Sequence, residues 1–391
     1  MKWETYKLKQ LCSEIADCVN KTAPTSDVPT PYKMLRTSDI RDGKINLENL
    51  NCVTKEVYEK WTRRGKLQKG DVIFTREAPL GEVGLVREEK NYFLGQRLVL
   101  FRANNKMCDE RFLMYSLLWH DNKQAIISKG VGSTVAHLRV PECENIEIKV
   151  PDLDVQHRIA DILSAYDDLI ENNQKQIKLL EEVAQRLYKE WFVDLRFPGH
   201  ENTKIVDGVP EGWKKERLVD IAEIQYGYAF DGTLFNADKN GTPIIRIRNI
   251  PQAETMDYTT EHVSENYLVQ NGEIIVGMDG EFHINAWAGN TAYLVQRVCC
   301  IRPKNTEIKG WLLQAIYEPI KFFERTVVGA TVAHLGKKHL DSIYLLTSPE
   351  EFYKPFMILF DKRLLLENQN RKLREARDRL LPKLMSGEVE V

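Results

Sequence analysis

The sequence predicts an α+β fold in which two similar strand-rich domains are separated by an antiparallel two-helix coiled coil and related by a pseudo-twofold internal repeat. Two observations carry this prediction. Residues 134–138, Thr-Val-Ala-His-Leu, return unchanged as residues 331–335, and a repeat at this distance is the size of one or two ordinary domains. Each copy is followed by a long heptad pattern, which is typical of a coiled-coil helix.

Apolar runs and alternating residues predict the strands of both domains. In the first domain, residues 1–150, these segments are 32–36, 71–75, 93–101 and 146–150, with a helix over 109–119. In the second domain, residues 201–350, they are 244–250, 273–278, 292–301 and 343–346. A helix over 311–323 is expected to be interrupted by Pro319.

Two long helices complete the predicted fold. The first, within residues 151–200, is expected to have Asp154 as its N-cap and to end near Phe197-Pro198-Gly199. Its seam includes Leu163, Ile170 and Asn173, and the second helix, within residues 351–391, has a leucine seam. A helix with one narrow apolar stripe needs a partner. The order of the chain makes the two helices antiparallel if they pair with each other.

The charge is uneven along the chain. Residues 1–150 carry 25 Lys and Arg against 20 Asp and Glu, whereas residues 207–350 carry 14 against 19. The net charge of −2 excludes a uniformly basic surface. If DNA is bound, local patches must hold it, because phosphate contacts supply most non-specific affinity.

The sequence favours a reduced, cytoplasmic protein. Its seven cysteines are scattered and form no Cys-x-x-Cys pair. It has no run of about 18 apolar residues to span a membrane, and its first residues lack the apolar core of a secretory signal.

No catalytic motif is present. There is no phosphate-binding Gly-x-x-x-x-Gly-Lys-Ser/Thr, no dinucleotide-binding Gly-x-Gly-x-x-Gly after a strand, and no Asn-Pro-Pro-aromatic motif of an adenine methyltransferase. The eight histidines are scattered, which predicts no metal site. Glu147 and Lys149 beside Asp152 resemble a nuclease cluster, but alternation along an edge strand explains them better.

Several phrases resemble the specificity subunit of type I restriction-modification systems. They are QHRIADIL at 156–163 with DDLIENN at 167–173, LYKEWFVD at 187–194, VPEGW at 209–213 and LLPKLMSGE at 380–388. Together they cover the helical regions and the domain junctions, in the order of that family. The globular domains resemble the family only in outline.

The resemblance implies a DNA-reading subunit that catalyses no reaction itself. It makes residues 1–150 and 201–350 two target recognition domains, each reading half of a split, asymmetric site, with the helices setting the gap. The implied partners are double-stranded DNA, two modification subunits that methylate adenine with S-adenosylmethionine, and restriction subunits that use ATP. No cofactor is expected on this chain.

The candidate DNA contacts are basic residues and the residues of the repeated phrase. They are Arg36, Arg41, Arg63, Arg64, Lys66, Arg76, Arg97, Thr134, His137, Arg246, Arg248, Asn249, Arg297, Thr331, His334 and Lys337. For the arginines the alternative is a solvated ion pair. For the repeated phrase it is a strand-to-helix turn whose histidine is a satisfied junction residue.

The end of the first long helix is crowded with aromatic side chains. Tyr188, Trp191, Phe192 and Phe197 are candidate contacts for the modification subunits, and junction packing is the alternative. Two rival functions remain open. One is an assembly scaffold whose degenerate domains no longer read DNA, and the weaker one is a stand-alone endonuclease.

Overall fold

The computed structural model describes residues 2–131, 136–326 and 333–391. The chain forms two compact units, one made of Met1–Asp168 with Arg374–Val391 and the other of Leu169–Leu373. Each unit therefore contains one strand-rich domain and segments of both long helices. The predicted fold class is confirmed, whereas the predicted four-part domain boundaries stay a prediction.

The first unit contains eleven strands in the residues described. They are Glu4–Lys7, Cys12–Asp17, Lys33–Leu35, Ile40–Arg41, Lys44–Ile45, Asn51–Cys52, Val72–Arg76, Leu80–Leu85, Tyr92–Leu94, Leu98–Ala103 and Glu147–Val150. Its α-helices are Leu8–Leu11, Lys55–Trp61, Glu110–Leu118, His120–Ser128, Val140–Glu144 and the start of Leu153–Tyr188, with a 3-10 turn at Thr37–Asp39. Asp109 caps the third helix by accepting from the backbone N–H groups of Arg111 and Phe112, which is a common role for aspartate at a helix start.

The second unit repeats this arrangement. Its strands are Ile205–Val206, Val209–Pro210, Lys214–Arg217, Ala222–Tyr226, Phe235–Asn236, Thr242–Ile245, Tyr258–Thr259, Leu268–Val269, Ile274–Gly277, Ile284–Ala286, Ala292–Leu294, Val298–Pro303 and Tyr344–Thr347. Its α-helices are Leu218–Ile221, Lys309–Ala315, Tyr317–Thr326, Lys337–Asp341 and most of Lys354–Ser386, with a π-helical turn at Lys189–Val193. Its 3-10 turns are His200–Asn202, Gly232–Leu234, Ile247–Asn249, Glu265–Tyr267, Thr306–Ile308 and Glu350–Phe352.

A four-stranded antiparallel sheet is central to each unit. In the first unit its order is Cys12–Asp17, Leu98–Ala103, Val72–Arg76 and Leu80–Leu85. In the second unit the equivalent strands follow in the same order: Ala222–Tyr226, Val298–Pro303, Ile274–Gly277 and Ile284–Ala286. The inner strands are almost wholly buried in both. The repeat in sequence is therefore a repeat of topology.

A two-stranded antiparallel ribbon closes each domain. Glu4–Lys7 pairs with Glu147–Val150 in the first unit, and Lys214–Arg217 pairs with Tyr344–Thr347 in the second. Side chains along Glu147–Val150 alternate between exposed and buried, so the edge-strand interpretation of Glu147 and Lys149 is confirmed. The ribbon brings a strand from near the start of each domain beside the last strand of that domain.

The segments 93–101 and 292–301, each predicted as one strand, are each two strands in different sheets. The turn falls at the Gln-Arg pair, where Arg97 and Arg297 both have a φ of 69°, a left-handed conformation that breaks a strand. Gly95 precedes the first turn, and a Cβ there would meet the Leu35 carbonyl oxygen at 2.2 Å. Gly95 therefore permits close backbone packing at the first turn, whereas the second turn has Val295 at the equivalent position.

Three helix boundaries differ from the predictions. The backbone N–H groups of Val155 and Gln156 donate to the Asp152 carbonyl, so the first long helix starts earlier than an Asp154 cap implies. It ends in the π-helical turn before Leu195, whose φ is 56°, not at Phe197. The break near Pro319 falls at Ile316 instead, and the proline lies in the first turn of the next helix, where its missing N–H costs no helical bond.

The long helices pair antiparallel within each unit. In the first unit, Ile159 and Leu163 join the same core as Leu380 and Leu384. In the second unit, Asn173 Nδ2 donates to the Oδ1 of its repeat equivalent, Asn370, at 3.0 Å, and both are buried. A buried asparagine pair at a seam fixes the register of two helices.

Candidate nucleic-acid interface

In the first unit, three of the predicted residues meet at the end of the central sheet. The backbone N–H of Arg76 donates to the Arg97 carbonyl at 2.8 Å. The Leu138 N–H donates to the Arg76 carbonyl at 3.0 Å, and His137 forms a β-bridge with Glu77. The described part of the repeated phrase (residues 136–138), the Gln-Arg turn and the sheet end are thus one structural element.

Two carboxylates hold the arginines of this cluster. Arg97 Nε lies 3.3 Å from Glu77 Oε2, and half of the Arg97 side chain is exposed. Asp17 accepts from both Arg64, at 3.3 Å, and Arg76, at 3.1 Å. The cluster therefore has three guanidinium groups against two carboxylates, a local excess of positive charge.

The second unit builds the same element from its own residues. The Met278 N–H donates to the Arg297 carbonyl at 2.9 Å, and the Leu335 N–H donates to the Met278 carbonyl at 2.7 Å. Arg297 Nε lies 3.4 Å from Asp279 Oδ2, and 54% of the arginine side chain is exposed. We call the trio Glu77, Arg97 and His137 the first twin site, and the trio Asp279, Arg297 and His334 the second.

His334 stands between the two charged partners of the second twin site. Its Nδ1 lies 2.6 Å from Asp279 Oδ1 and 3.1 Å from Arg297 Nη1. One ring nitrogen either donates to the carboxylate or accepts from the guanidinium, so the histidine tautomer decides which hydrogen bond forms. The His334 side chain is 47% exposed.

A second pair of equivalent turns contains Arg36 and Arg246. Asp39 accepts from the Arg36 backbone N–H at 2.8 Å and pairs with its guanidinium. Asn249 accepts from the Arg246 N–H at 2.8 Å. Asn249 therefore caps a 3-10 turn, a structural role that the sequence analysis did not assign to it.

The remaining basic candidates are dispersed over the surface. Arg248 pairs with Asp257, Arg246 stacks on Phe235 at 5.7 Å, and Arg41 is 82% exposed. Further exposed candidates are Arg63, Lys66 and Lys337. Thr134 and Thr331 lie outside the described residues.

The predicted partner contacts are mostly inside the second unit. Phe192 and Phe197 are 5% and 2% exposed and pack on Trp213. Their assignment to a partner surface needs correction, because junction packing accounts for their burial. Trp191 is half-buried against Phe356, and burial raises the pKa of Tyr188 to about 12.

An apolar groove of about 730 Å³ lies beside Tyr188. Its lining includes Val193, Tyr317, Tyr344 and Leu346, and Val193 and Tyr344 are each more than 60% exposed. Exposed aromatic and aliphatic side chains around one cavity are typical of a protein-binding surface.

The acidic members of the twin sites were not predicted from the sequence. Glu77 and Asp279 are equivalent at an offset of 202, the same as for Gly70-Asp71-Val72-Ile73 and Gly272-Glu273-Ile274-Ile275. The repeat therefore carried a signal for both carboxylates. Asp17 had no such signal, since the register aligns it with Tyr226.

Among the helices of residues 2–131, 136–326 and 333–391, none combines the length and the apolar character that a membrane span requires. In the same ranges, no group of three or more His, Cys, Asp or Glu side chains is arranged to hold a metal ion.

The family described as the type I restriction modification DNA specificity domain matches this chain twice, over residues 1–182 and 210–350. The two matches cover most of the chain, one over each strand-rich domain. This chain belongs to the type I restriction-modification DNA specificity family. The predicted resemblance is confirmed, and the twin sites are features of a specificity subunit.

Specificity subunits from two organisms align with most of the length of this chain. It is 26% identical to the type I restriction enzyme MjaIX specificity subunit of Methanocaldococcus jannaschii, covering 83% of this chain and 78% of the relative. It is 22% identical to the HindI specificity subunit of Haemophilus influenzae, covering 99% of both. The crystal structure of a type I S subunit from M. genitalium superposes with a TM-score of 0.61 at 17% identity, covering 98% of this chain and 96% of that one. That last likeness supports the fold.

Proposed function

We propose that this specificity subunit recognises a bipartite, asymmetric site in double-stranded DNA and catalyses no reaction itself. The observation that carries the proposal is the pair of units with the same sheet order and equivalent twin sites on otherwise different residues. Diverged copies of one DNA-binding unit read unlike half-sites, because base contacts depend on individual side chains.

The partners complete the activity. Two modification subunits, carrying S-adenosylmethionine, methylate adenines in the two half-sites, and restriction subunits carry ATP. The proposed location is the cytoplasm, where the free cysteines of this chain stay reduced.

The apolar groove of the second unit is a candidate docking surface for a modification subunit. Tyr344 and Leu346 line it, whereas Glu147 and Lys149 occupy the equivalent positions of the first unit's ribbon. Replacing both residues by their charged counterparts, Tyr344→Glu with Leu346→Lys, should weaken assembly, measured as the mass of the purified complex. The converse change in the first ribbon, Glu147→Tyr with Lys149→Leu, is the matched control. An unchanged complex in the groove variant would remove this surface from the proposal.

The decisive experiment uses the complex with the modification subunits. Mapping adenine methylation across the genome of cells that make the complex should return one split motif with two unlike halves. DNA binding by the same complex should favour that motif over a scrambled duplex at several salt concentrations. The proposal fails if the complex shows no sequence preference.

The acidic second domain motivates one alternative, an assembly scaffold whose domains no longer read DNA. Residues 207–350 carry 14 basic against 19 acidic side chains, and Met278 stands where the first unit has Arg76. Under this alternative, the complex assembles but binds all duplexes equally. Metal-dependent cleavage by the chain alone would instead support the endonuclease hypothesis.

A further inference from the structure

The twin sites are alike in detail, whereas their surroundings differ. Arg97 and Arg297 both follow a glutamine, have the same φ of 69°, and place Nε 3.3–3.4 Å from a carboxylate. A histidine of the repeated phrase forms a backbone β-bridge with that carboxylate residue in both units, and in the second unit the His334 side chain also contacts Asp279 and Arg297. Next to them, Arg76 and Asp17 are replaced by Met278 and Tyr226.

The left-handed arginine is a costly conformation that both units keep. A non-glycine residue at positive φ is strained, and such strain persists only where the surrounding structure imposes it. The backbone bonds from Arg76 and Met278 to the arginine carbonyls hold the turns in place. The result is a guanidinium group at a fixed point on each sheet end, about half exposed.

Identical side chains in equivalent positions cannot distinguish two unlike half-sites. They contact something that both half-sites share. The adenine common to both must be taken out of the stack by a modification subunit, and the other feature that every duplex shares is its phosphodiester backbone. An exposed arginine–carboxylate pair contributes little stability, so a phosphate can displace the carboxylate at small cost. The planar guanidinium group binds phosphate oxygens through two parallel hydrogen bonds.

We propose that Arg97 and Arg297 each bind one backbone phosphate, at equivalent places in the two half-sites, independently of the bases. The carboxylates of Glu77 and Asp279 are positioning residues that orient the guanidinium group before DNA arrives. This inference rests on the proposed function and assigns to these two arginines affinity without specificity. Base reading then belongs to residues that differ between the units.

The test measures DNA affinity of the assembled complex against salt concentration. The variants are Arg97→Asn, Arg297→Asn and the double change, since asparagine tolerates left-handed backbone. Each single variant should lower affinity about tenfold and make the salt slope shallower by about 1. The loss should be equal for the preferred motif and for a scrambled duplex, and methylation should keep the same motif. Arg217→Asn is the matched control, because Arg217 is a half-exposed arginine paired with Asp220 at 2.8 Å.

Three outcomes would overturn the inference. Affinity lost only for the preferred motif would make these arginines base readers. An unchanged salt slope and affinity would leave them without a DNA role. Loss of a modification subunit with intact DNA binding would make them protein contacts. Thermal unfolding of each variant separates all three from misfolding. If the wild-type complex shows no sequence preference, the proposed function fails. The salt slopes of the variants would still test the phosphate contacts, so the two failures can be told apart.

Discussion

At the end of the central sheet, the first unit places a charged pair where the second has a tyrosine and a methionine. Asp17 accepts from Arg76 at 3.1 Å, whereas the equivalent Tyr226 has a buried hydroxyl that hydrogen-bonds to nothing in the described residues. Burial raises the pKa of Tyr226 to about 12. The same backbone network therefore tolerates either polar or largely apolar support, which leaves the adjoining surface free to diverge.

The two long helices are tied to each other by a buried charged centre in each unit, and the two centres have opposite charge. In the first unit the centre is a carboxylate: Asp167 accepts from Tyr115 Oη at 2.6 Å and from Arg377 Nη1 at 2.5 Å. In the second unit the centre is a guanidinium: Arg363 lies 2.9 Å from both Glu181 and Glu367. Both centres are buried, so each depends on its partners.

The largest effect is expected from the second anchor. Arg363→Met should lower the free energy of unfolding by about 3 kcal/mol, because it leaves Glu367 buried without its cation. Denaturant unfolding of the full chain measures this loss. Arg325→Ala, at an exposed pair with Glu318, should change it by less than about 0.5 kcal/mol. Equal losses in the two variants would mean that burial of the anchor has no energetic role.

The charged pair at the sheet end of the first unit can be replaced by the residues of the second unit. Arg76→Met should cost about 2 kcal/mol, since Asp17 loses a largely buried partner. Adding Asp17→Tyr recreates the residues of the second unit and should recover part of that stability. A double-mutant cycle on thermal unfolding gives the coupling between the two positions. Additive losses would show that the two positions are independent.

Two tyrosines differ in whether the hydroxyl group has a hydrogen-bond partner in the described residues. Tyr115→Phe removes the hydrogen bond to Asp167 and should destabilise the first unit by about 1–2 kcal/mol. Tyr226→Phe removes a buried hydroxyl without a partner in the described chain and should be neutral or slightly stabilising. Chemical unfolding of both variants tests the pair, and a clear loss in Tyr226→Phe would contradict it.

The smallest expected effect is a pH dependence of the second anchor. Burial raises the pKa of Glu367 above its ordinary value, so the folded chain binds this proton more tightly than the unfolded chain. The resulting stability is present below the unfolded pKa of about 4.3 and is lost as the pH rises through the folded value. Glu367→Gln should remove this pH dependence from the free energy of unfolding, measured from below the unfolded pKa to above the folded pKa of Glu367. A curve unchanged by the substitution would assign the dependence to other groups.

Sequence patterns were sufficient for the repeated domains, the paired helices and the inner strands of both four-stranded sheets, whereas the outer strands, among them Cys12–Asp17 and Ala222–Tyr226, were not predicted. Periodicity records which side chains face a core, and the exact phrase at residues 134–138 and 331–335 located the equivalent sites. Burial of Phe192 and Phe197 was missed because the chain turns back after the π-helical turn, and nothing in a heptad pattern encodes that reversal.

Only the basic residues of the twin sites were predicted from the sequence. Arg97, Arg297 and both histidines could be selected as basic residues in matching positions. Their carboxylate partners, Glu77 and Asp279, lie in the turns after Val72–Arg76 and Ile274–Gly277. The repeat offset marks these two as equivalent, but their contacts with the arginines depend on tertiary structure. Pairing between Asp17 and Arg76 has no counterpart in the other half, so even the repeat could not reveal it.

The ribbon that pairs a strand near the start of each domain with its last strand has an evolutionary consequence. Because Glu4 stands opposite Val150 and Lys214 opposite Thr347, a whole domain enters and leaves the molecule at one place. A recombination event that exchanged everything between those strands would replace one strand-rich domain and keep the paired helices, and the incoming domain would have to pack on helix residues such as Ile159 and Leu384, which share its core. If each domain reads one half-site, as proposed, new DNA targets would then arise by recombining existing halves, without redesign of individual residues.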